Sequence, residues 1–159
     1  MKDIELYNDS FQNYKVYGLP KAQLIIADVP YNLANNAYAS NPAWYIDGDN
    51  KNGESALAGK QFFSSDSEFR PAEFMHFCSK MLVKEPKEAG KSPCMILFCE
   101  YEQQCKFIEL GRKYGLNHNI PLVFRKDFSA QVLKANMKVV GNCEYGLILY
   151  RDKLPKFNI

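Results

Sequence analysis

The stretch QLIIADVPY, residues 23–31, decides the fold. Four apolar residues, Leu24 to Ala27, run without a polar interruption and end on Asp28, where Val29, Pro30 and Tyr31 turn the chain away. A short continuous apolar run bounded by turn residues predicts a strand buried on both faces, as in a parallel sheet. The same pattern returns at residues 94–99, CMILFC. Between the two lies residues 66–84, where Phe74, Phe77, Cys78, Met81 and Leu82 recur at spacings of three and four. That spacing predicts a helix with one apolar face. Residues 101–114, ending near Gly115, predict a second amphipathic helix. Strands alternating with helices give an α/β fold with a partly parallel sheet.

Outward from this centre the signals are weaker. Residues 3–7 suit a short strand, and Asp9 and Ser10 suit the start of a short helix over residues 10–17, closed by Gly18 and Pro20. Residues 119–125 predict a third strand, and Pro121 suits an edge strand or a strand start. Residues 127–137 read as a polar loop and residues 138–150 as strand-like, a hairpin or a bulged strand around Gly141 and Gly146. The last two strands follow one another without a helix, so they are expected to be antiparallel. Residues 29–60, with Pro30, Pro42, Gly48, Gly53 and Gly59, read as a long loop of the kind that carries function.

The chain has 159 residues, 47% apolar and 24% charged, which fits one domain able to bury a core and excludes a disordered tail. No apolar run approaches the roughly 20 residues that span a bilayer. MKDIELYNDS has no apolar secretory core, so the expected setting is intracellular. The net charge is +2, but residues 125–159 hold seven basic and three acidic side chains, a net +4 that leaves −2 on the rest. A basic end suits a phosphate backbone and equally an ordinary solvated surface. The five cysteines lack C-x-x-C spacing and read as reduced core thiols. His76 and His118 lack ligand spacing, so no metal is expected.

The tetrapeptide Asp28-Val29-Pro30-Tyr31 resembles the D-P-P-Y motif of DNA amino-methyltransferases. LIIADVPYNLANNAYASNPAWY, the helix over 66–84 with CMILFC, IPLVFRKDFSAQVLKANMKVVG and EYGLILYRDKLPKF extend that resemblance over nearly the whole chain. Together they are similar to the N-terminal half of phage and bacterial site-specific adenine-N6 methyltransferases of the beta-type order. The resemblance implies a partial Rossmann-like sheet, mostly parallel with an antiparallel strand near the C-terminus, in one domain over residues 1–159 with a long loop at about 29–65. It implies that Asp28 accepts one hydrogen of the adenine amine, that the Val29 carbonyl accepts the other, and that Tyr31 stacks on a base rotated out of the duplex. Valine stands at position 29 where the family carries proline. YNDS, residues 7–10, is similar to the family's N-G-D segment, which sets Asp9 beside the methyl donor, S-adenosyl-methionine.

The family's F-x-G-x-G donor loop has no counterpart, since no two of the nine glycines are two apart. The resemblance therefore implies a catalytic half that uses S-adenosyl-methionine only when a partner supplies the donor half. Its partners would be double-stranded DNA and a protein, or a second copy, covering the open sheet edge. Its setting would be the cytoplasm of a bacterium or phage-infected host, within a restriction-modification system. The alternative is an inactive derivative, such as a phage inhibitor of a host nuclease or defence system. Trp44, with Tyr45, is a candidate DNA contact or a loop anchor, the two readings standing level. Lys134 and Lys138 are candidate phosphate contacts, and Asn136 a candidate base reader or turn cap. Glu144 reads as a strand-end carboxylate paired with a nearby cation, and Phe62, Phe63 and Phe69 as core.

Overall fold

A computed structural model of the chain describes residues 4–30, 69–88, 90–127, 131–134 and 139–157. Strand β1 (Leu24–Asp28) leads to helix α1 (Pro71–Met81), then β2 (Cys94–Phe98), helix α2 (Gln104–Lys113), β3 (His118–Arg125), β4 (Gln131–Lys134), β5 (Val139–Gly141) and β6 (Cys143–Tyr150). A 3-10 helix, Phe11–Tyr17, precedes β1, and a 3-10 turn, Tyr101–Gln103, leads into α2. Four strands form one sheet in the order β1-β2-β6-β3, while β4 and β5 pair separately. β1 and β2 are parallel, and β6 runs antiparallel to both β2 and β3. Three strands therefore point one way and β6 points against them, the mostly parallel α/β sheet expected. Pro121 lies in β3, an edge strand, where a missing N–H interrupts no ladder on the open side.

Pro71 fixes the start of α1: its ring is preset for a first helical turn and needs no N–H partner there. Phe74, Met75, Cys78 and Met81 are buried along one stripe of the helix. At Leu82 the backbone becomes extended. There the Ala22 N–H donates to the Met81 carbonyl at 2.7 Å and the Val83 N–H to the Ala22 carbonyl at 3.0 Å, so the end of α1 is tied to the residues just before β1. Helix α2 packs closely at Gly111, where a Cβ would lie 3.3 Å from the Leu116 carbonyl oxygen and 3.7 Å from Leu149 of β6. The core is the layer between these helices and one sheet face: Met75, Cys78 and Leu82 from α1 and its end, Met95 and Leu97 from β2, Phe107 from α2, and Leu147 and Leu149 from β6. Full burial of each large apolar side chain contributes about 1.5–3 kcal/mol. The 3-10 helix leans on α1 through Phe11, whose ring centroid is 5.4 Å from those of Phe74 and Phe77. Phe69 packs on the same core, as its sequence context predicts.

Four expectations change. β1 is not buried on both faces: Ile25 and Ala27 are half-buried toward the helices, whereas Leu24 is 40% and Ile26 63% exposed. The reason is its place at the sheet edge with helices on one side among the described residues. Residues 4–8 form no strand, and Ile4 and Leu6 are exposed, because a strand needs a ladder partner and this segment has none among the described residues. The polar loop over 127–137 contains β4, which pairs antiparallel with β5 through a register shift between Val132 and Lys134. The thiols divide: Cys78, Cys94 and Cys99 are buried, Cys143 is half-buried and Cys105 is exposed. Helices 66–84 and 101–114 are both present but shorter than predicted. No helix of the described residues is long and apolar enough to cross a membrane.

Phe107→Ala removes the largest fully buried side chain among the described residues and is expected to lower unfolding stability by about 3–5 kcal/mol in a denaturant titration. Ile26→Thr, on the open face, is expected to change it by less than about 0.5 kcal/mol.

Candidate functional site

The carboxyl ends of β1, β2 and β3 and the amino end of β6 meet at one edge of the sheet. Residues Asp28, Phe98, Gly146 and Leu122 lie in one row across the four strands. Gly146 is closely approached in that row: a Cβ there would sit 3.1 Å from the Leu97 carbonyl oxygen. The rings of Phe98 and Phe124 stand with centroids 5.2 Å apart. β3 runs on past this row to Arg125, exposed at its end. Next comes Lys126, whose ammonium pairs with Glu144 and whose N–H donates to the Asn142 carbonyl at 2.7 Å. The cation expected beside Glu144 is thus Lys126. The hairpin of β4 and β5 is inserted in the chain between β3 and β6, at this same edge.

Asp28 is the last residue of β1 and its side chain is exposed on this edge. Val29 is only 4% exposed, and its N–H donates to the Phe98 carbonyl at 3.2 Å, extending the ladder one residue beyond Asp28. A proline at 29 has no N–H to give, so the departure from D-P-P-Y carries a hydrogen bond that the family residue would forfeit. The Pro30 carbonyl accepts from the Gln103 carboxamide nitrogen at 3.0 Å. The Gln103 carboxamide oxygen accepts the Glu100 N–H, also at 3.0 Å, while the Glu100 side chain accepts from the backbone at Gln103, a reciprocal cap. Gln103 therefore ties the turn after β1 to the turn after β2. Sequence reasoning placed Gln103 on a helix face and assigned it no role. The available signal was the Glu100-x-x-Gln103 spacing of a capping box, which marks a helix start but not its second partner.

Asp9 stands just before the 3-10 helix Phe11–Tyr17. Its carboxylate accepts from the Tyr17 hydroxyl at 2.5 Å, the Asn13 side chain at 2.8 Å and the Ser10 N–H at 2.7 Å. These bonds, Tyr17 first, hold the Asp9 carboxyl below its ordinary range, and the Tyr17 hydroxyl is raised in turn. Asp9 acts as the clasp of the 3-10 helix, whose Tyr17 ring also packs at a tilt against Tyr7, with centroids 4.4 Å apart. Of the other predicted site residues, Tyr31, Trp44, Asn136 and Lys138 lie outside the described residues. Lys134 closes β4, where the backbone alone is described.

The buried thiols make poor nucleophiles. Burial pushes Cys78 to about 12, and burial with the neighbouring Glu100 charge does the same to Cys99. His76 packs at a tilt against Tyr114, and His118 stacks on Tyr150. Among the described residues, no group of three or more His, Cys, Asp or Glu side chains is placed to hold a metal ion.

Comparison with family models and with curated proteins finds no match. Among solved structures, the chain path is similar to that of M1.HpyAVI in complex with SAM, at 14% identity and a TM-score of 0.49, over 90% of this chain and 49% of that one. M1.HpyAVI alone gives 12% identity and a TM-score of 0.47, over 89% and 50%. A precorrin-6y C5,15-methyltransferase from Geobacter metallireducens gives 11% and 0.43, over 91% and 52%. The chain spans about half the length of each of these proteins.

Val29→Pro is expected to lose the bond to Phe98 and to destabilise the fold by about 1–3 kcal/mol in a denaturant titration. Asp9 has a lowered folded-state value, so its contribution to stability is present above its unfolded value and is lost as pH falls through the folded one. Tyr17→Phe is therefore expected to raise the Asp9 titration midpoint toward the ordinary aspartate value, read from its carboxyl carbon by NMR.

Proposed function

We propose that the chain is the adenine-binding, catalytic half of a DNA adenine-N6 methyltransferase. The observation that carries this reading is the Asp28-Val29-Pro30 turn, held at the carboxyl end of a parallel strand and tied to the next strand's loop by Gln103. Ligand sites in open α/β sheets lie at such strand ends. The chemistry needs two acceptors. An exocyclic amine is a weak nucleophile because its lone pair is delocalised into the ring. In this reading the Asp28 carboxylate accepts one N–H and the Val29 carbonyl the other. Those two bonds pull the nitrogen toward a tetrahedral shape and aim its lone pair outward. Tyr31 stacks on the base once it has left the duplex. Arg125 ends β3 at the same sheet edge, where DNA phosphates would run, and Lys134 and Lys138 follow it in the sequence as further candidate phosphate contacts.

The methyl group comes, in this reading, from S-adenosyl-methionine, whose sulfonium makes the methyl carbon electrophilic. The residues in hand do not fit that donor: the chain has no G-x-G, and the Asp9 carboxylate is engaged by Ser10, Asn13 and Tyr17. The donor loop is accordingly supplied from outside residues 1–159. The edge of β1, open among the described residues, is where a partner strand would extend the sheet. This chemistry belongs to the cytoplasm of a bacterium or phage-infected host, where the DNA lies.

The test is transfer of a labelled methyl group to duplex DNA by this chain mixed with a polypeptide carrying F-x-G-x-G that co-purifies with it. N6-methyladenine is the expected product, and Asp28→Ala is expected to slow its formation by about 10²–10³-fold, the scale of losing one preorganised polar contact. Product at cytosine, or an Asp28→Ala chain as fast as the natural one, would overturn the reading. A biological effect on a nuclease that persists in Asp28→Ala would establish the inactive, inhibitory alternative.

A further inference from the structure

Gln103 uses both ends of its carboxamide. The Glu100 N–H can only donate and the Pro30 carbonyl can only accept, so the oxygen must face Glu100 and the nitrogen Pro30. Capping needs the oxygen alone. The nitrogen reaches 73 residues back along the chain to a turn that the cap does not require.

The location of that bond gives it meaning. The Val29 N–H is fixed on Phe98, and the Pro30 carbonyl is fixed on Gln103. Between these anchors lies a single peptide unit, the one joining Val29 to Pro30. It carries the Val29 carbonyl, the second acceptor of the adenine amine. The Pro30 ring holds its own φ near −65°, which removes one further torsion. A proline at 29 would have stiffened this turn through its own ring. Valine does not, so the stiffness must come from the anchors.

We propose that Gln103 is a positioning residue of the adenine-amine site, fixing the Val29–Pro30 peptide by holding the Pro30 carbonyl and so presenting the Val29 carbonyl beside Asp28. This rests on the adenine reading above. Gln103 itself does not touch the base.

Two variants separate the cap from the clamp. Gln103→Glu keeps an oxygen for the Glu100 N–H and loses the donor to Pro30. Gln103→Ala loses both. Amide exchange is measured by NMR on the full chain, together with a titration against adenosine followed at Asp28 and Val29. In Gln103→Glu the Val29 amide is expected to exchange at least about tenfold faster while Glu100 stays protected, and adenosine affinity is expected to fall at least about fivefold, a differential of roughly 1 kcal/mol. In Gln103→Ala both amides are expected to exchange faster. A Gln103→Glu chain with natural Val29 exchange and natural adenosine affinity would overturn the proposal and leave Gln103 a helix cap. A natural chain whose Asp28 and Val29 signals do not move with adenosine would overturn the adenine reading itself. That failure is distinct, because it is seen before any substitution is made.

Discussion

The parallel pairing of β1 with β2 is the constraint on which the site depends. Five consecutive pairs, Leu24 with Cys94 through Asp28 with Phe98, bring two turns together although some 70 residues separate them in the chain. Pairing one residue out of step would turn Asp28 to the opposite face of the sheet and carry Pro30 out of reach of Gln103. The register is held by what lies beneath it. Met95 and Leu97 point into the helix layer against Leu147, Leu149 and Phe107, and a one-residue slip would carry them out of it. Core packing and site geometry are therefore one specification. The ladder bond from Val29 to Phe98 continues the pairing directly into the turn.

The sheet is covered on one face by α1 and α2. On the other, Leu24 and Ile26 from β1 and Ile120 and Phe124 from β3 remain exposed among the described residues. This asymmetry explains why β1 departs from its prediction. An apolar run states that a strand can be buried on both faces; it does not state whether a second layer lies over it. β2 shows the contrast. With strands on both sides of it, Cys94, Met95 and Leu97 are fully buried from a similar run of residues. Edge position, a property of topology, separates two stretches that read alike.

Much of the architecture was legible because its signals are local. The stripe Phe74, Cys78 and Met81 announces α1, Pro121 announces an edge or a strand start, and the absence of a helix between the last strands announces antiparallel pairing. The turn at Val29 and Pro30 after the apolar run was legible too, whereas the roles of Asp28 and Val29 come from the resemblance to D-P-P-Y and are part of the proposal. The hairpin over 131–141 was not, because its polar residues masked the short apolar pairs that form it. The role of Gln103 was not, because its second partner is distant in the chain and fixed only by folding. Asp9 shows the converse: it was read both as a helix start and as a donor contact, and its three hydrogen bonds make it the clasp of the 3-10 helix.

The central claim is a geometric one: an adenine amine is gripped between a side-chain carboxylate and a main-chain carbonyl one residue apart. A crystal structure of the chain with adenosine 5′-monophosphate bound measures this directly. The account predicts the exocyclic nitrogen within about 3.2 Å of both an Asp28 carboxylate oxygen and the Val29 carbonyl oxygen. A nucleotide bound away from the end of β1, or an adenine whose amine faces neither acceptor, would contradict it.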